Sequence, residues 1–415
     1  MTPAHPAETR KARRAIALAT FLTLVPLTLV VAGLHELIIV HLGGSRADAH
    51  AFTATNMATG IVGVPIAMML FRRRPNLQAW LVGSLLLDAV AFLGMNAAHS
   101  VPTLLAWRAL DGVAHLPAVT LLMVAANRLA GEKRGATLGL VATALMTGVA
   151  VGSPLGGWLV ERSPSAVYVT GAALLVVAAV AALAIPPLPS DQQVVTRHRY
   201  EWKRTSLSIW MPLAFGFMDR FTIGVFVSTF TLYLSEVQRV TPAERGLLMA
   251  LFMMPFALLC WPVGRLADTV GWFWPIIVGT LGFGVVYATY GIVPHGLLAV
   301  SMVLSGLTSA LMFAPNLLLV SEFARRGAGE GLFGAFQVAG SFGFLAGPIF
   351  GGIAVEVTRR ASTVPNYDGI FIVVGALVVV LGVVAAVVLA PEAREWRDDR
   401  GEPAAADLAG RLPTA

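Results

Sequence analysis

The sequence contains little charge and almost no cysteine. Asp, Glu, Lys and Arg make up 13% of its 415 residues, whereas a soluble domain averages about 25%. Apolar residues reach 57% and the mean hydropathy is +0.76. These values exclude a soluble globular protein, a disordered chain, a collagen and a coiled coil. The single cysteine, Cys260, cannot form an intramolecular disulfide.

Several motifs are also missing. The sequence has no phosphate-binding loop of the Walker type, so ATP is not the expected energy source. It has no Cys and His cluster with the spacing of zinc ligands, so we expect no metal and no other cofactor. No constellation of catalytic residues stands out, and we expect no enzyme. The apolar runs are continuous rather than alternating, which argues against a transmembrane β-barrel.

What the sequence does contain is a series of long apolar runs, each near the roughly 20 residues that a membrane-spanning helix needs. We therefore predict an all-α integral membrane protein with twelve transmembrane helices. The first run follows a basic N-terminus but is too long for a signal peptide, so it is interpreted as a retained helix. The predicted spans are 15–40, 52–71, 77–98, 102–129, 135–160, 166–187, 208–234, 246–267, 273–293, 296–321, 331–357 and 368–390.

A single long polar break separates the spans into two groups of six. The predicted organisation is an N-terminal six-helix bundle at 1–187, a cytoplasmic linker at 188–207, a C-terminal six-helix bundle at 208–390 and a cytoplasmic tail at 391–415. Glycines recur between the groups at a constant offset of 195 residues, which indicates two related, pseudo-symmetric halves. The pairs are Gly139 and Gly334, Gly148 and Gly343, Gly152 and Gly347, Gly156 and Gly351, and Gly157 and Gly352.

The distribution of basic residues predicts the orientation. With both termini in the cytoplasm, 21 of the 29 Lys and Arg residues fall on cytoplasmic segments, six fall on the opposite side, and two, Arg108 and Arg220, lie inside helices. This bias follows the positive-inside rule, and it accounts for the net charge of +6 without a nucleic-acid partner. We expect a multi-pass monomer in the inner or plasma membrane, with the lipid bilayer as its surroundings.

Span 11 contains a glycine and proline motif, Gly343-Phe-Leu-Ala-Gly347-Pro348-Ile-Phe-Gly351-Gly352. It resembles the antiporter motif of the major facilitator superfamily, which in that family belongs to span 5. Span 5 has the same glycines, including Gly152, but its Pro154 is displaced by one residue. Small residues let helices approach closely, and proline loosens the helical ladder. The resemblance implies two rocking bundles; ordinary helix packing is the alternative.

The connection between spans 8 and 9 resembles the cytoplasmic loop motif of the same family. It contains Gly264, Asp268 and Gly271 in the order of that motif, but Thr269 replaces a basic residue. In the family, the Asp closes the cytoplasmic side by pairing across the two halves. The equivalent loop of the first half has basic residues and no Asp.

This departure leads to a hypothesis of a charge-complementary gate on the cytoplasmic side. Asp268 would pair with Arg134, and Arg72 or Arg73 would pair with Glu330. Exposed ion pairs contribute only about 0–1 kcal/mol, so such a gate would bias a balanced equilibrium. The alternative is that the basic cluster at 72–74 only sets the topology.

Span 4 contains a third match, to the family motif whose Arg sits in the membrane and is linked to proton movement. Arg108 is that Arg, and Asp111 stands where glutamine is common. His115 follows on the same helix face, at i+7 from Arg108, so the three side chains form one polar stripe. The stripe could carry protons or line a binding wall; a structural Arg108–Asp111 pair is the alternative.

Five further charged or titratable residues lie inside predicted spans, where they are costly and usually functional. Asp219 and Arg220 lie near the middle of span 7, and Asp219 is our first candidate for the protonated site. A static ion pair is the alternative. Glu36 and His35 lie towards the outer end of span 1, where they either take part in transport or only mark the exit to water. Asp88 in span 3 lies at the depth of Arg108, which it would neutralise.

Together these features predict a secondary carrier with alternating access and a cavity between the halves. The resemblance to the drug:proton antiporters favours efflux of a small lipophilic compound in exchange for protons, with the proton gradient as energy source. One alternative is proton-coupled uptake of a sugar or an organic acid, in which Arg220 or Arg108 would bind a carboxylate. A more remote alternative is a membrane sensor or assembly partner that transports nothing.

Overall fold

The computed structural model describes residues 6–73, 76–130, 134–185, 207–324, 331–361 and 365–399. This part of the chain is helical throughout, with short turns between the helices. The helices are α1 Pro6–Ala32, α2 Arg46–Arg73, α3 Leu77–Asn96, α4 Val101–Ala130, α5 Arg134–Val160, α6 Pro164–Leu183, α7 Trp210–Val225, α8 Pro242–Val270, α9 Phe273–Ala288, α10 Leu298–Phe323, α11 Gly331–Ala361, α12 Tyr367–Val388 and α13 Ala390–Asp399.

Eleven of these helical segments are long and apolar enough to cross a bilayer, and α9 is a shorter apolar helix. The fold class is therefore as predicted: a membrane protein of two six-helix groups. Two spans extend beyond their α-helices through π-helical turns. A π segment at His35–Val40 continues α1, and one at Phe226–Phe230 joins α7 to a last turn at Thr231–Glu236.

Several helix starts differ from the predicted boundaries because polar residues cap them. Thr241 accepts a hydrogen bond from the backbone N–H of Glu244 at 3.3 Å, and Pro242 occupies the first turn. This capping arrangement starts α8 at residue 242 rather than 246. Helix α2 also starts before its predicted boundary, at Arg46 rather than 52. At the other end of a span, α9 ends at Ala288 rather than 293.

The repeated glycine motifs form the tightest helix contacts within each half. Helix α5 packs on α1, with Gly156 against the backbone of Leu29. Helix α11 packs on α7 in the same way, with Gly343 against the backbone of Phe217. Small residues at these positions let the two backbones approach. The two halves thus share one packing plan.

The interiors of the two halves are chemically different. The outer part of the second half is filled by rings in edge-on and stacked contact, and the first half places buried charges between α2, α3 and α4. The rings are Phe226, Phe230, Tyr233, Phe252, Phe283, Tyr287, Tyr290, Tyr367 and Phe371. The halves meet through two helix pairs, α5 with α8 and α2 with α11.

The short helix α13 lies against the second half on the side of the termini. Trp396 packs against Gly271, which ends α8 with a φ of +85°. The hydroxyl of Ser208 donates a hydrogen bond to Oε1 of Glu392 at 2.7 Å. These contacts fasten α13 to the α8–α9 connection and to the segment that precedes α7.

Candidate functional site

A buried ionic cluster lies between α2 and α4 in the first half. Arg108 Nη1 lies 2.7 Å from Asp111 Oδ2, and Asn56 Nδ2 donates to the same oxygen at 2.6 Å. The guanidinium also stands over the ring of Phe52, 4.4 Å from its centroid. Arg108 is 4% exposed and Asp111 2%. The predicted stripe on α4 therefore faces protein rather than lipid.

His115 completes the stripe and contacts α3. Its Nδ1 lies 2.8 Å from Asp88 Oδ2, and both side chains are fully buried. The expectation that Asp88 neutralises Arg108 is wrong: Asp111, one helical turn away, occupies that place, and Asp88 pairs with His115 instead. Donor atoms of Asp88, Asp111 and His115 lie within 4.8 Å of one another, an arrangement that could hold a cation. The expectation of no metal stays untested.

A second ionic pair lies on α7. Arg220 Nε lies 3.6 Å from Asp219 Oδ2, and no described residue donates a hydrogen bond to that oxygen. The two side chains differ in access, because Arg220 is 34% exposed and Asp219 only 4%. The guanidinium of Arg220 lies 5.4 Å from the ring of Phe313 on α10. Adjacent side chains on a helix point in different directions. The 3.6 Å separation of Arg220 Nε and Asp219 Oδ2 agrees with that geometry.

On the outer side, which is opposite the side that holds both termini, an ion pair joins the two halves. Arg245 at the start of α8 contacts Glu36 of the first π segment at 2.5 Å, and its side chain is wholly buried. Two of its guanidinium nitrogens, Nε and Nη1, have no hydrogen-bond partner among the described residues. His35 Nδ1 lies 3.7 Å from Glu36 Oε1. The sequence leaves Glu36 and His35 with either a transport role or a place at the exit to water; the structure places Glu36 in a contact between the two halves.

Two further contacts close the same side between α2 and the second half. Arg46 Nε lies 2.8 Å from Glu236, which also accepts a hydrogen bond from the hydroxyl of Tyr367 at 2.9 Å. His50 Nε2 lies 3.0 Å from the hydroxyl of Thr229. Between α5 and α8 the backbones touch, since Gly157 lies against Pro242 and Gly246 against Ser153. This outer closure consists of contacts from both helix pairs.

On the side that holds both termini, α5 and α8 leave a cavity of about 910 Å³ with α10 as its third wall. Most of its lining is apolar. The lining residues are Leu140, Thr143, Met146 and Thr147 of α5; Ala257, Leu258, Cys260, Trp261, Gly264, Arg265 and Asp268 of α8; and Phe313, Ala314, Leu317 and Leu318 of α10. Among the described residues, contacts between the halves thus close the outer side, and the cavity lies on the other side.

The predicted cytoplasmic gate is only partly within the described residues. Gly264 and Asp268 lie on the cavity wall, and Gly271 terminates α8. The side chains of Arg72, Arg73 and Arg134, and the whole of Glu330, lie outside the described part of the chain. The proposed pairs therefore stay predictions.

Sequence reasoning missed the residues of the outer closure. The positive-inside count places Arg46 and Arg245 on the outer side, where charge is ordinary, and it gives Glu236 no role. One signal was present, because Thr241-Pro242-Ala-Glu244 is a capping sequence that places Arg245 on the first turn of a helix. The sequence held no signal for its partner on another helix.

The glycine motif of α5 leads to a stability prediction. In Gly156→Ala the new Cβ would meet the carbonyl oxygen of Leu29, so the α1 and α5 backbones must separate. We expect a loss of about 1–3 kcal/mol of stability, as for other overpacked cores. Gly334→Ala on α11 is the matched control, because a Cβ there meets open space. Thermal unfolding of the two variants side by side checks this; equal midpoints would contradict it.

Comparison with known proteins decides the family. The family model described as Major Facilitator Superfamily matches residues 16–217 and 213–413. The chain belongs to this superfamily. Consistent with its two-bundle fold, the two matches divide the chain near the start of α7. No curated protein sequence matches the chain.

Solved structures of two other transporters have the same fold. A bacterial homolog of the human lysosomal transporter Spinster, inward-facing and unoccupied, superimposes with a TM-score of 0.76 at 15% identity, covering 97% of this chain and 100% of that one. The nucleoside transporter NupG superimposes with a TM-score of 0.71 at 14% identity, covering 91% of this chain and 99% of that one. The chain is thus a multi-pass secondary transporter and not an enzyme.

Proposed function

We propose that this transporter exports a small lipophilic compound across the inner or plasma membrane in exchange for protons, acting as a monomer without a cofactor. The observation that carries the proposal is the pairing of an outer closure with a cavity that opens on the side of the termini. The arginine bias assigns that side to the cytoplasm. The mainly apolar wall of the cavity suits a lipophilic compound.

Exchange requires that proton and compound occupy the carrier in turn. We place the proton on Asp219, as the sequence suggests. Its carboxylate is 4% exposed and has one oxygen without a hydrogen-bond donor among the described residues. The guanidinium of Arg220, 3.6 Å away, compensates the charge of the ionised carboxylate. A rearrangement of the Arg220 side chain that changes this separation would therefore lead Asp219 to take up or release a proton.

Arg108 and Asp111 are assigned a supporting part in this scheme, to tune or carry the proton route. Asp268 and the basic cluster at 72–74 would set the state that is closed to the cytoplasm. Both assignments follow the family resemblance, and the geometry of Asp268 on the cavity wall agrees with a gate at that level.

The test uses everted membrane vesicles energised to acidify inside, with a pH-quenched dye and a panel of lipophilic cations and neutral drugs. We expect an active compound to alkalinise wild-type vesicles and to leave Asp219→Asn vesicles unchanged. Asp368→Asn, on the first turn of α12 at the outer side, is the matched control and should behave as wild type. Alkalinisation that persists in Asp219→Asn would remove Asp219 from the coupling path.

One observation favours a second candidate, proton-coupled uptake of an organic acid. Arg220, rather than Asp219, is the accessible member of the α7 pair, and a guanidinium binds carboxylates in bidentate geometry. An anion that displaced Asp219 from Arg220 would let Asp219 accept a proton, so anion and proton would travel together. In right-side-out vesicles this candidate predicts acid uptake driven by an inwardly directed proton gradient, and in the everted vesicles it predicts no response to lipophilic cations.

A further inference from the structure

We infer that His50 is a proton-binding site within the outer closure, and that a proton bound there holds the outer side open. The site is separate from Asp219 and from the transported compound, so the inference goes beyond the proposed exchange. Its ligand is a proton taken from an acidic outer solution. Its effect is on the conformational step in which the outer side closes.

His50 has the same place in the first half that Arg245 has in the second. The two residues are 195 positions apart, which is the offset that relates the glycine motifs. Each lies within the first two turns of its helix, α2 or α8, and each contacts a π segment of the other half. Arg245 contacts Glu36 in one segment, and His50 Nε2 lies 3.0 Å from the hydroxyl of Thr229 in the other. The outer closure therefore contains two equivalent contacts that differ in charge.

The glycine motifs pack against both of these contacts. Gly157 of α5 lies against Pro242 at the start of α8, and its counterpart Gly352 of α11 lies against the side chain of His50. Gly351 lies against the same imidazole. His50 is only 3% exposed as long as α2 and α11 stay in contact. When the outer side opens, these two helices separate and the ring meets the outer solution.

The hydrogen bonds of the closed state fit a neutral imidazole. His50 Nδ1 lies 2.8 Å from the carbonyl oxygen of Arg46. A carbonyl oxygen only accepts, so Nδ1 carries the hydrogen and Nε2 accepts a hydrogen bond from the hydroxyl of Thr229. A further proton on Nε2 would replace that bond and add a positive charge. No carboxylate of the described residues contacts the ring to compensate that charge, and buried charges need such a partner.

The charged and titratable groups near this end of α2 all have other partners. They are Glu236, held by Arg46 and Tyr367; Glu36, held by Arg245 and near His35; Arg108, paired with Asp111; Glu356, paired with Arg359; and, on α2 itself, Asp48, bonded to Ser45. The protonated ring is therefore compensated by water in the open state and by none of these groups in the closed state.

Closure of the outer side thus requires that His50 releases its proton. An imidazole in water titrates near pH 6.5, so an outer solution below about pH 6 holds the carrier open. The equivalent contact in the other half lacks this response, because the charge of Arg245 is permanent and its partner is an acid. Strong acid outside would therefore slow the transport cycle.

The test measures the outer opening directly and needs neither compound nor proton flux. Spin labels are placed at Arg162→Cys and Val237→Cys, exposed positions on opposite halves of the outer side, on a Cys260→Ser background. Their distance is measured in lipid nanodiscs. From about pH 8 to about pH 5 we expect the closed-to-open ratio to fall about 30-fold, the factor for a group that titrates near pH 6.5.

Two variants separate His50 from other titrating groups. His50→Gln stays polar but binds no proton in this range, so it should keep the same ratio at both ends of the pH range. His99→Gln is the matched control, because His99 is an exposed histidine of the outer connection between α3 and α4. This variant should open in acid as the wild type does.

Thr229→Asp tests the chemistry of the contact as well as its position. It places a carboxylate opposite His50, as Glu36 is placed opposite Arg245. Acid should then favour closure, because the protonated ring gains a charged partner. The closed-to-open ratio should rise from about pH 8 to about pH 6. A contact with a merely structural part would not reverse its dependence on pH.

Three results would overturn the inference. Opening in acid that persisted in His50→Gln would place the proton on another group, such as His35. A wild type that stayed closed at low pH would mean that a protonated His50 is compatible with closure. Opening of Thr229→Asp in acid would mean that the charge of the ring does not decide closure. Failure of the proposed exchange has a different signature, since it would abolish compound-driven proton flux and leave these distances unchanged.

Discussion

Glu36→Gln is expected to move the transporter out of the state described here and towards one that is open on the outer side. The substitution keeps the shape of the side chain and a hydrogen bond to Arg245 but removes the negative charge. Arg245 is wholly buried and has no other acidic partner among the described residues. Removing one member of a buried pair costs about 3–5 kcal/mol. Because Glu36 is 25% exposed, we expect the lower end, about 3 kcal/mol, which is roughly a hundredfold in the equilibrium.

Two measurements check this shift. Alkylation of the native Cys260 from the cavity should become slower, because the inner halves of α5 and α8 close when the outer side opens. Spin labels at Arg162→Cys and Val237→Cys, on a Cys260→Ser background, should move apart, since these exposed positions lie on opposite halves of the outer side.

Glu161→Gln is the matched control, because Glu161 also contacts the other half on the outer side. Its Oε1 accepts a hydrogen bond from the backbone N–H of Ala243 at 3.0 Å, but this contact is exposed. Exposed contacts contribute little, so this variant should keep wild-type labelling and distances. If Glu36→Gln also kept them, the Glu36–Arg245 pair would have no part in holding the outer side closed.

Asp111→Ala should destabilise the first half more than any substitution of an exposed charge. It leaves the guanidinium of Arg108 buried without its carboxylate and removes the acceptor of the Asn56 amide. Breaking such a pair costs about 3–5 kcal/mol. The measurement is thermal unfolding in lipid nanodiscs, followed by tryptophan fluorescence.

The chain offers a control with the same spacing in an exposed place. Glu356 and Arg359 on α11 also pair at i and i+3, with both side chains about half exposed. Glu356→Ala should unfold at the wild-type temperature. The double substitution Arg108→Met with Asp111→Leu should recover much of the stability, because it leaves no uncompensated charge. If that double variant still exchanged protons, the buried pair would be structural and not part of the proton route.

The fold was predictable because a bilayer restricts what a chain can do. Every backbone group in the hydrocarbon must be satisfied within a helix, so twelve apolar runs mean twelve helices. The glycines at a constant offset then revealed two halves with one packing plan, and the structure places Gly148 against the backbone of Phe21 and its counterpart Gly343 against the backbone of Phe217. The predicted helix starts were wrong where hydropathy alone set them and capping residues were not considered, as at Thr241 and Pro242.

The candidate site was predictable only along single helices. Arg108, Asp111 and His115 share a face of α4 because their spacing fixes it. The partner of Arg245 is 209 residues away in the chain, and the partner of His115 is 27 residues away on α3. Spacing carries no information about contacts of this kind. Such contacts depend on how the helices pack against one another. Matching Asp88 with Arg108 by their depth in the membrane therefore gave Asp88 the wrong partner.

The attachment of α13 offers a way to follow the transport cycle. Trp396 rests on Gly271, in the connection that follows the cavity-lining part of α8, and Glu392 is tied to the segment before α7. A fluorescent reporter fused after α13 would therefore be mechanically linked to both helices. Changes in its polarisation or energy transfer would then report each turnover in living cells, without labelling any residue inside the membrane.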